Sequence, residues 1–313
     1  IIMDEMPYFE ECMNIYSLEE VSNYKGAAQV QKKEKIALIH DALLCGIQDY
    51  FRKLKFKKAI IGLSGGIDSA LTAVLATRAL GPENVHVLLM PSHYSSDHSV
   101  KDAEDLARNL GIRYEILNIQ KPYYAFEDVL SEAFEGTSEG IAEENIQSRC
   151  RGVILMAMSN KFGHILLNTT NKSEMAVGYG TLYGDLAGGI SVIGDVYKSE
   201  VFEMCRWINR EAEIIPWNTI TKPPSAELRP DQKDTDSLPP YEVLDPILHD
   251  YIEERLGPQE IVDQGNDPEL VARILRLVNI NEFKRHQTAP VLRVSPKAFG
   301  MGRRMPIVAK YLA

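Results

Sequence analysis

Two short stretches of the chain combine residue types that can handle an anion and its counter-ion. The first is Lys58-Ala-Ile-Ile-Gly62-Leu63-Ser64-Gly65-Gly66-Ile67-Asp68-Ser69. An apolar, β-branched run breaks at Ser-Gly-Gly, and Asp68-Ser69 opens the apolar periodicity of Ala70 to Leu80. That order reads as buried parallel strand, glycine turn and helix N-terminus. Glycines let backbone N–H groups come close to an anion, and the helix start adds partial positive charge. The hydroxyls of Ser64 and Ser69 can donate to phosphate oxygens. Asp68 would repel a bare phosphate, so its carboxylate reads as a Mg2+ ligand. No Gly-Lys-Ser/Thr closes the loop, which excludes a Walker A sequence. The second stretch is Leu167-Asn168-Thr169-Thr170-Asn171-Lys172-Ser173-Glu174, again the end of a strand and the start of a helix. It belongs on the same sheet edge, where Glu174 can join Asp68 on one cation, because two carboxylates with phosphate oxygens and water are ordinary Mg2+ ligation. Taken singly, each stretch also fits a plain helix cap.

The elements that must position these residues form a β/α series. Residues 29–55 carry Ile36, Ile39, Leu43, Ile47, Tyr50 and Leu54 at three- and four-residue steps, one face of an amphipathic helix. Strand-like runs at 84–90, 112–119 and 164–169 alternate with helices over 96–110, 122–134 and 143–162. Ser96 or Asp97 caps the first of these helices, Gly111 follows its end, and Pro122 starts the next. Such alternation implies a doubly wound α/β fold, a parallel sheet covered on both faces with ligands at the carboxyl ends of its strands. Past Thr170 the glycines crowd together, from Gly178 and Gly180 through Gly184, Gly188 and Gly189 to Gly194, as in a loop that approaches a ligand or moves. Residues 195–209 read as a helix. Residues 221–240 mix five prolines with Asp231, Asp234 and Asp236 and read as a mobile surface loop with the character of a lid. Short helices follow at 242–253, 258–263, 269–278 and 281–286. The expected division is a linker or docking arm at 1–27, one domain at 28–290 and a tail at 291–313.

Composition sets the outer bounds. A chain of 313 residues that is 45% hydrophobic can build a large core. A net charge of -10 argues against generic nucleic-acid binding, though not against a nucleotide substrate held in a local pocket. Cys12, Cys45, Cys150 and Cys205 form no C-x-x-C pair, and they fit a reducing cytoplasm. No apolar run reaches membrane-spanning length.

The first loop resembles the Ser-Gly-Gly-x-Asp-Ser pyrophosphate loop of the N-type ATP pyrophosphatases. With Asn168-Thr-Thr-Asn-Lys-Ser-Glu174, Gly180-Thr-Leu-Tyr-Gly-Asp185-Leu-Ala-Gly-Gly189, Asp195-Val-Tyr-Lys198 and Glu282-Phe-Lys284-Arg285 in this order, residues 40 to 290 resemble NAD synthetases. The Gly180–Gly189 wording is closer to the synthetase part of the glutamine-dependent enzymes than to the small ammonia-dependent ones. The resemblance implies a Rossmann-like, adenine nucleotide alpha hydrolase-like fold with additional C-terminal helices. It implies adenylation of the deamido-NAD carboxylate by ATP with release of pyrophosphate, then displacement of AMP by ammonia.

By matching position, Gly62, Leu63, Ser64, Gly65, Gly66, Ile67, Asp68 and Ser69 would hold ATP phosphates, with Thr169 and Ser225 as further ATP contacts. Asp68 and Glu174 would bind Mg2+, Lys198 would neutralise the phosphates, and Asp68 and Lys198 would be the catalytic pair. Asn145, Arg149, Glu174, Asp185 and Lys284 would contact deamido-NAD. The family forms dimers with the dinucleotide site across the subunit interface, so a homodimer or larger homo-oligomer is expected. Leu182, Ile190-Ser191 and Phe283 depart from some ammonia-dependent members, at positions that bear on deamido-NAD rather than ATP. His93, Asp97 and His98 read as a surface loop near the adenosine end rather than a metal site. Nothing resembles the nitrilase-like glutaminase domain with its Cys-Glu-Lys triad. The chain is therefore expected either to use free ammonia or to lack its glutaminase part, and its start at Ile1 favours the latter. Another ligase with the same loop, GMP-synthetase-like, and an ATP-binding sensor without chemistry are the alternatives. Neither nucleic acid nor membrane is an expected partner, and the cytoplasm is the expected location.

Overall fold

The computed structural model describes residues 2–26, 28, 30, 32–230 and 232–308. Ile1, Ala27, Asp231 and residues 309–313, which belong to the expected arm, lid and tail, lie outside them. The apolar run before the glycine turn becomes β1 (Ala59–Gly62), the middle strand of a five-stranded sheet ordered β3-β2-β1-β4-β5, with β2 (Val85–Leu89), β3 (Arg113–Ile116), β4 (Ile165–Asn168) and β5 (Ile190–Ser191). All pairings are parallel. A strand covered on both faces must be apolar at every position, and Ala59, Ile60 and Ile61 are all 0% exposed. Full burial of an isoleucine contributes roughly 1.5–3 kcal/mol, so this strand anchors both layers.

The odd and even residues of β1 serve different layers. Ala59 and Ile61 join a core beneath α2 (Lys35–Leu54), α3 (Ile67–Leu80) and α8 (Lys198–Ile208). Ile60 joins a smaller core beneath α5 (Gln120–Leu130) and α6 (Ile141–Phe162), with Leu88, Tyr123, Cys150, Leu155 and Leu166. Helix α4 (Asp97–Leu110) starts at the expected Ser96 cap, whose Oγ accepts from Ser99 N at 3.2 Å, and ends at Gly111 in the left-handed conformation. The doubly wound sheet expected from the alternation is therefore present. A third core joins α7 (Lys172–Val177) to α10 (Tyr241–His249), α11 (Pro258–Asp263) and α12 (Pro268–Ile280), the additional C-terminal helices, with α13 (Glu282–Arg285) beyond.

Several boundaries differ from the sequence reading. Helix α2 begins at Lys35, and its buried stripe ends on Phe51, leaving Leu54 52% exposed. Helix α8 begins at Lys198 because Glu200 Oε2 accepts from Tyr197 N at 3.1 Å and fixes Tyr197 as the cap. Asp195 instead accepts from Val294 N and Ser295 N at 2.8 and 2.7 Å. Three elements were not expected: α1 (Leu18–Asn23) inside the arm, the two-residue β5, and α9 (Trp217–Thr221). Residues 291–299 are not a loose tail at their start, since Val291 bridges to Ser191 and Ala298 and Phe299 are buried. Among the described residues, no helix is long and apolar enough to cross a membrane.

Candidate active site

The chain leaves β1 toward β2 on one side of the sheet and leaves β4 toward β5 on the other. Neighbouring strands whose connections diverge open a crevice at their carboxyl ends. Both chemistry-bearing stretches end there, one after β1 and one after β4. Gly65 turns the first loop at φ +82°, and a Cβ there would lie 2.2 Å from the Ser99 carbonyl oxygen, so only glycine fits. The two serines brace the turn. Ser69 Oγ is buried, accepts from Ser64 N at 3.2 Å and donates to the Gly66 carbonyl at 3.0 Å. Ser64 Oγ accepts from Gly66 N at 3.2 Å and lies 3.0 Å from Ser69 Oγ, while Ser64 itself is exposed to the cavity.

Three charged side chains meet below this loop, each from the first turn of a helix. Lys198 of α8, 2% exposed, places Nζ 2.5 Å from Asp68 Oδ2 of α3 and 3.2 Å from Glu174 Oε1 of α7. Asn171 fixes the geometry from β4's side: its Nδ2 donates to Asp68 Oδ1 at 2.9 Å and its Oδ1 accepts from Glu174 N at 2.9 Å. Asp234 is buried nearby and accepts from Tyr241 Oη at 2.9 Å and Tyr179 Oη at 3.3 Å. One ammonium thus faces two carboxylates, with a third close behind. Burial pushes Glu174 up to about 8; Lys198 opposes that rise and the Asp68 charge adds to it. Burial works against the Lys198 ammonium, but Asp68 and Glu174 outweigh it and hold its pKa above the ordinary lysine value. Burial also raises Asp234, against the pull of Lys198.

An excess of buried negative charge is what a divalent cation requires. Mg2+ typically takes one or two carboxylates and completes its shell with phosphate oxygens and water. Asp68 and Glu174 share one ammonium and both line the cavity, so the donor set fits Mg2+ carried in by a triphosphate. Among the described residues no group of three or more His, Cys, Asp or Glu side chains makes a self-sufficient metal cage. Lys172, between Asn171 and Ser173 in the same motif, points away from the site and is fully buried against Asp195 and Glu253 at 2.9 and 2.7 Å.

The cavity above this cluster holds about 290 Å³. Gly62, Leu63, Ser64, Gly66, Ile67, Asp68, Ser69, Thr169, Glu174, Asp185, Lys198 and Ser225 line it, whereas Gly65 lies beneath its floor against Ser99. Asn145, Arg149 and Lys284 do not line it; they converge on the glycine-rich loop that forms one side. Thr181 Oγ1 donates to Asn145 Oδ1 at 2.6 Å, Arg149 Nε to the Leu182 carbonyl at 3.3 Å, and Lys284 Nζ to the carbonyls of Gly178 and Gly180 at 2.7 and 2.9 Å. Burial lowers the Lys284 pKa, partly offset by Asp185. Asp185 keeps surface open to the cavity water but is crowded by protein, which pushes its pKa up even though Thr181 N and Ser148 Oγ donate to it at 2.6 and 3.1 Å.

The proline-rich segment is docked rather than free. Glu227 Oε1 accepts from Ser96 Oγ and Ser99 Oγ at 2.9 and 2.6 Å, and Lys222 Nζ donates to Ser99 Oγ and Asp102 Oδ2 at 3.0 Å each. Residues 222–228 thereby form a wall of the cavity, and Asp234, expected in a surface loop, is buried. His93, Asp97 and His98 are exposed, with His93 stacked among Tyr94, Tyr123 and Tyr124. Four residues of the site were not anticipated: Asn171, buried behind Asp68, and the cavity-lining Asp234, Lys222 and Arg151, whose Nε donates to the Met90 carbonyl at 3.0 Å. For Asn171 the Asn-x-x-Glu capping pattern was a readable signal. For the others the sequence held none.

A family model described as NAD synthase matches residues 39–288. Glutamine-dependent NAD(+) synthetase of Synechocystis is 50% identical over 99% of this chain and 56% of its own length. The enzyme of the same name from Thermotoga maritima is 53% identical over 86% of this chain and 47% of its own length. A solved structure of glutamine-dependent NAD+ synthetase from Acinetobacter baumannii in complex with ADP matches with a TM-score of 0.62 and 43% identity, over 90% of this chain and 51% of that one. The chain thus spans about half the length of these curated relatives.

Proposed function

The chain belongs to the NAD synthase family, and from that premise we propose that its cavity joins ammonia to the carboxylate of deamido-NAD while ATP is split to AMP and pyrophosphate. A carboxylate is a poor electrophile. One of its oxygens attacks the α phosphorus of ATP, the bond from that phosphorus to the bridging oxygen breaks, and pyrophosphate departs. Ammonia then attacks the activated acyl carbon, gives up a proton, and the carbon–oxygen bond to AMP breaks, leaving the amide.

Both steps gather anionic groups, so the demand on the protein is electrostatic. The first-turn amides of α3 and the cavity-exposed hydroxyl of Ser64 receive phosphate oxygens. Lys198 supplies a fixed, fully ionised positive charge held by Asp68 and Glu174, and Asn171 in turn holds Asp68. Magnesium bound through Asp68 and Glu174 would add charge neutralisation for the leaving pyrophosphate. Thr169 and Ser225 contact ATP from opposite walls. Asn145, Arg149, Asp185 and Lys284 hold the 178–186 loop as the dinucleotide side of the site. A homo-oligomer whose second copy covers the α5–α6 side is supported by the exposed Val129, Ile141 and Val153 there, at 76%, 75% and 64%. Nitrogen enters this chain as ammonia, and a separate glutaminase unit would serve to deliver it.

The observation that carries the reading is the buried Asp68–Lys198–Glu174 cluster under the glycine turn at the strand-order switch. The test is pyrophosphate release from ATP with deamido-NAD and an ammonium salt, each omitted in turn. Release that requires deamido-NAD, with amide product that requires ammonia, supports the proposal. Nucleotide binding with no release would make the protein a sensor, and release with xanthosine monophosphate in place of deamido-NAD would make it the GMP-synthetase-like ligase.

A further inference from the structure

A second hollow of about 170 Å³ opens at the other edge of the sheet, where the strands begin. Lys58 precedes β1, His86 is the second residue of β2, Arg113 opens β3 and His164 precedes β4, so one side chain from each of four adjacent strands reaches it. His86 and His164 are 4% and 8% exposed, with ring centroids 5.8 Å apart and planes at 81°. Both Nδ1 atoms and His86 Nε2 lack a hydrogen-bond partner. His86 Nε2 lies 3.3 Å from Glu115 Oε1, a charge contact outside good hydrogen-bond geometry, and the same oxygen pairs with Arg113 at 2.5 Å.

Leaving one buried polar nitrogen unpaired costs about 1–3 kcal/mol, and native proteins rarely tolerate several side by side. The surroundings indicate what would pair them. Lys58 and Arg113 stand exposed at the rim. Burial first, and then these cations, lower the pKa of His164; burial and Arg113 do the same at His86, against Glu115. Glu83, the other carboxylate at the rim, accepts from Asn84 Nδ2 at 3.1 Å. A metal ion would meet two positive side chains here, and among the described residues no three-ligand group is present. The unused ring nitrogens are closed to water as the rings stand, so an anion reaches them once the rings turn toward the hollow, where Lys58 and Arg113 supply positive charge.

We propose that this hollow is a second, non-catalytic site for a compact oxyanion of the phosphate class, with His86 and His164 donating ring N–H groups and Lys58 and Arg113 neutralising the charge. The bound anion favours the imidazolium form, so a proton is taken up on binding. Pinning four strand ends at once stabilises the sheet from the edge opposite the catalytic crevice. This site stands independently of the amidation reading.

The test is a titration of the intact chain with inorganic phosphate, followed by NMR of the histidine ring protons. No histidine lines the catalytic cavity, so phosphate visiting the glycine turn leaves these signals alone. Resonances of His86 and His164 should shift together and saturably, their titration midpoints should rise, and phosphate should bind up to about tenfold more tightly per unit fall in pH while one proton is taken up. Lys58→Gln, a change at an exposed side chain, should weaken phosphate roughly two- to fivefold, and His164→Asn should abolish the shift at His86. The proposal is overturned if phosphate leaves both rings unmoved, if zinc moves them and phosphate does not, or if Lys58→Gln binds phosphate like the parent.

Discussion

Replacing Lys198 by methionine tests the electrostatic reading of the site most directly. Lys198 is 2% exposed and bridges Asp68 and Glu174, whose side chains are 17% and 15% exposed. Methionine keeps much of the volume and removes the charge. Breaking a buried ion pair by deleting one partner costs about 3–5 kcal/mol. In a chain of 313 residues that corresponds to a fall in Tm of roughly 6–10 °C, at about 2 °C per kcal/mol. The pH dependence separates this from a packing defect. Glu174 sits near 8 with the lysine present, and its folded pKa lies above the unfolded value, so stability falls as pH rises toward 8. Without the lysine that pKa moves higher still. As pH rises through 8 the parent loses this proton while the variant keeps it, so the gap between them should widen, approaching about 1.4 kcal/mol per pH unit once the parent's titration is complete. Urea unfolding at pH 7, 8 and 9 measures the gap, and repeating the series with Glu174→Gln in both backgrounds should remove the widening. A gap below about 1 kcal/mol, or one that stays constant with pH in the Glu174 background, would refute the argument.

Further outcomes follow from single contacts. Asn171→Ala removes the amide that holds Asp68 Oδ1 at 2.9 Å, and losing a hydrogen bond to a charged group, about 1.5–3 kcal/mol, should lower kcat/KM for ATP roughly 10- to 100-fold; an unchanged value in steady-state kinetics would count against that positioning role. Because Glu174 is held near pH 8, binding of Mg2+ and ATP at pH 7.5 should release protons, seen as a calorimetric enthalpy that differs between buffers of different ionisation heat; identical enthalpies would remove Glu174 from the metal site. Gly65→Ala should cost more than Gly111→Ala in thermal unfolding, since both have positive φ but only Gly65 has a carbonyl oxygen 2.2 Å from the new Cβ; the Gly111 change should stay near the 1–2 kcal/mol of left-handed strain alone, and equal losses would show that the loop can yield.

The parts of the site that could be read from the sequence are local ones. Ser64-Gly-Gly-Ile-Asp-Ser69 announces its turn, helix start and anion preference within six consecutive positions, and the strand before it fixes the edge of the sheet. Glu174 was legible as a carboxylate at the next strand end and helix start, whereas Lys198 was singled out only by its matching position in the family resemblance; both lie in the first turn of a helix. What escaped depends on contacts between distant segments. Asn171 reaches Asp68 across 103 positions, and Asp234 is buried only because Tyr179 and Tyr241 close over it. Strand β5 has two residues, too few for any alternation to register. The proline-rich segment looks like a free loop because its docking rests on Glu227 and Lys222, ordinary surface types that happen to meet Ser96, Ser99 and Asp102. Leu54 continues the spacing of its stripe and still faces solvent, since α2 ends there, with Lys55 as its left-handed cap.

The fully enclosed ammonium of Lys172 carries a consequence for the order in which the chain folds. Its partners are Asp195, Glu253, Ser295 Oγ at 2.8 Å and the Lys297 carbonyl at 3.1 Å, and it immediately follows Asn171, which grips Asp68. During synthesis this knot cannot be tied until residues 295–297 have emerged. This corner of the site therefore becomes rigid only once residues 295–297 are available, however early the central strands pair, and a ribosome-stalled chain lacking residues beyond 294 should show protease cleavage near residues 170–174 that a chain extended through 308 resists.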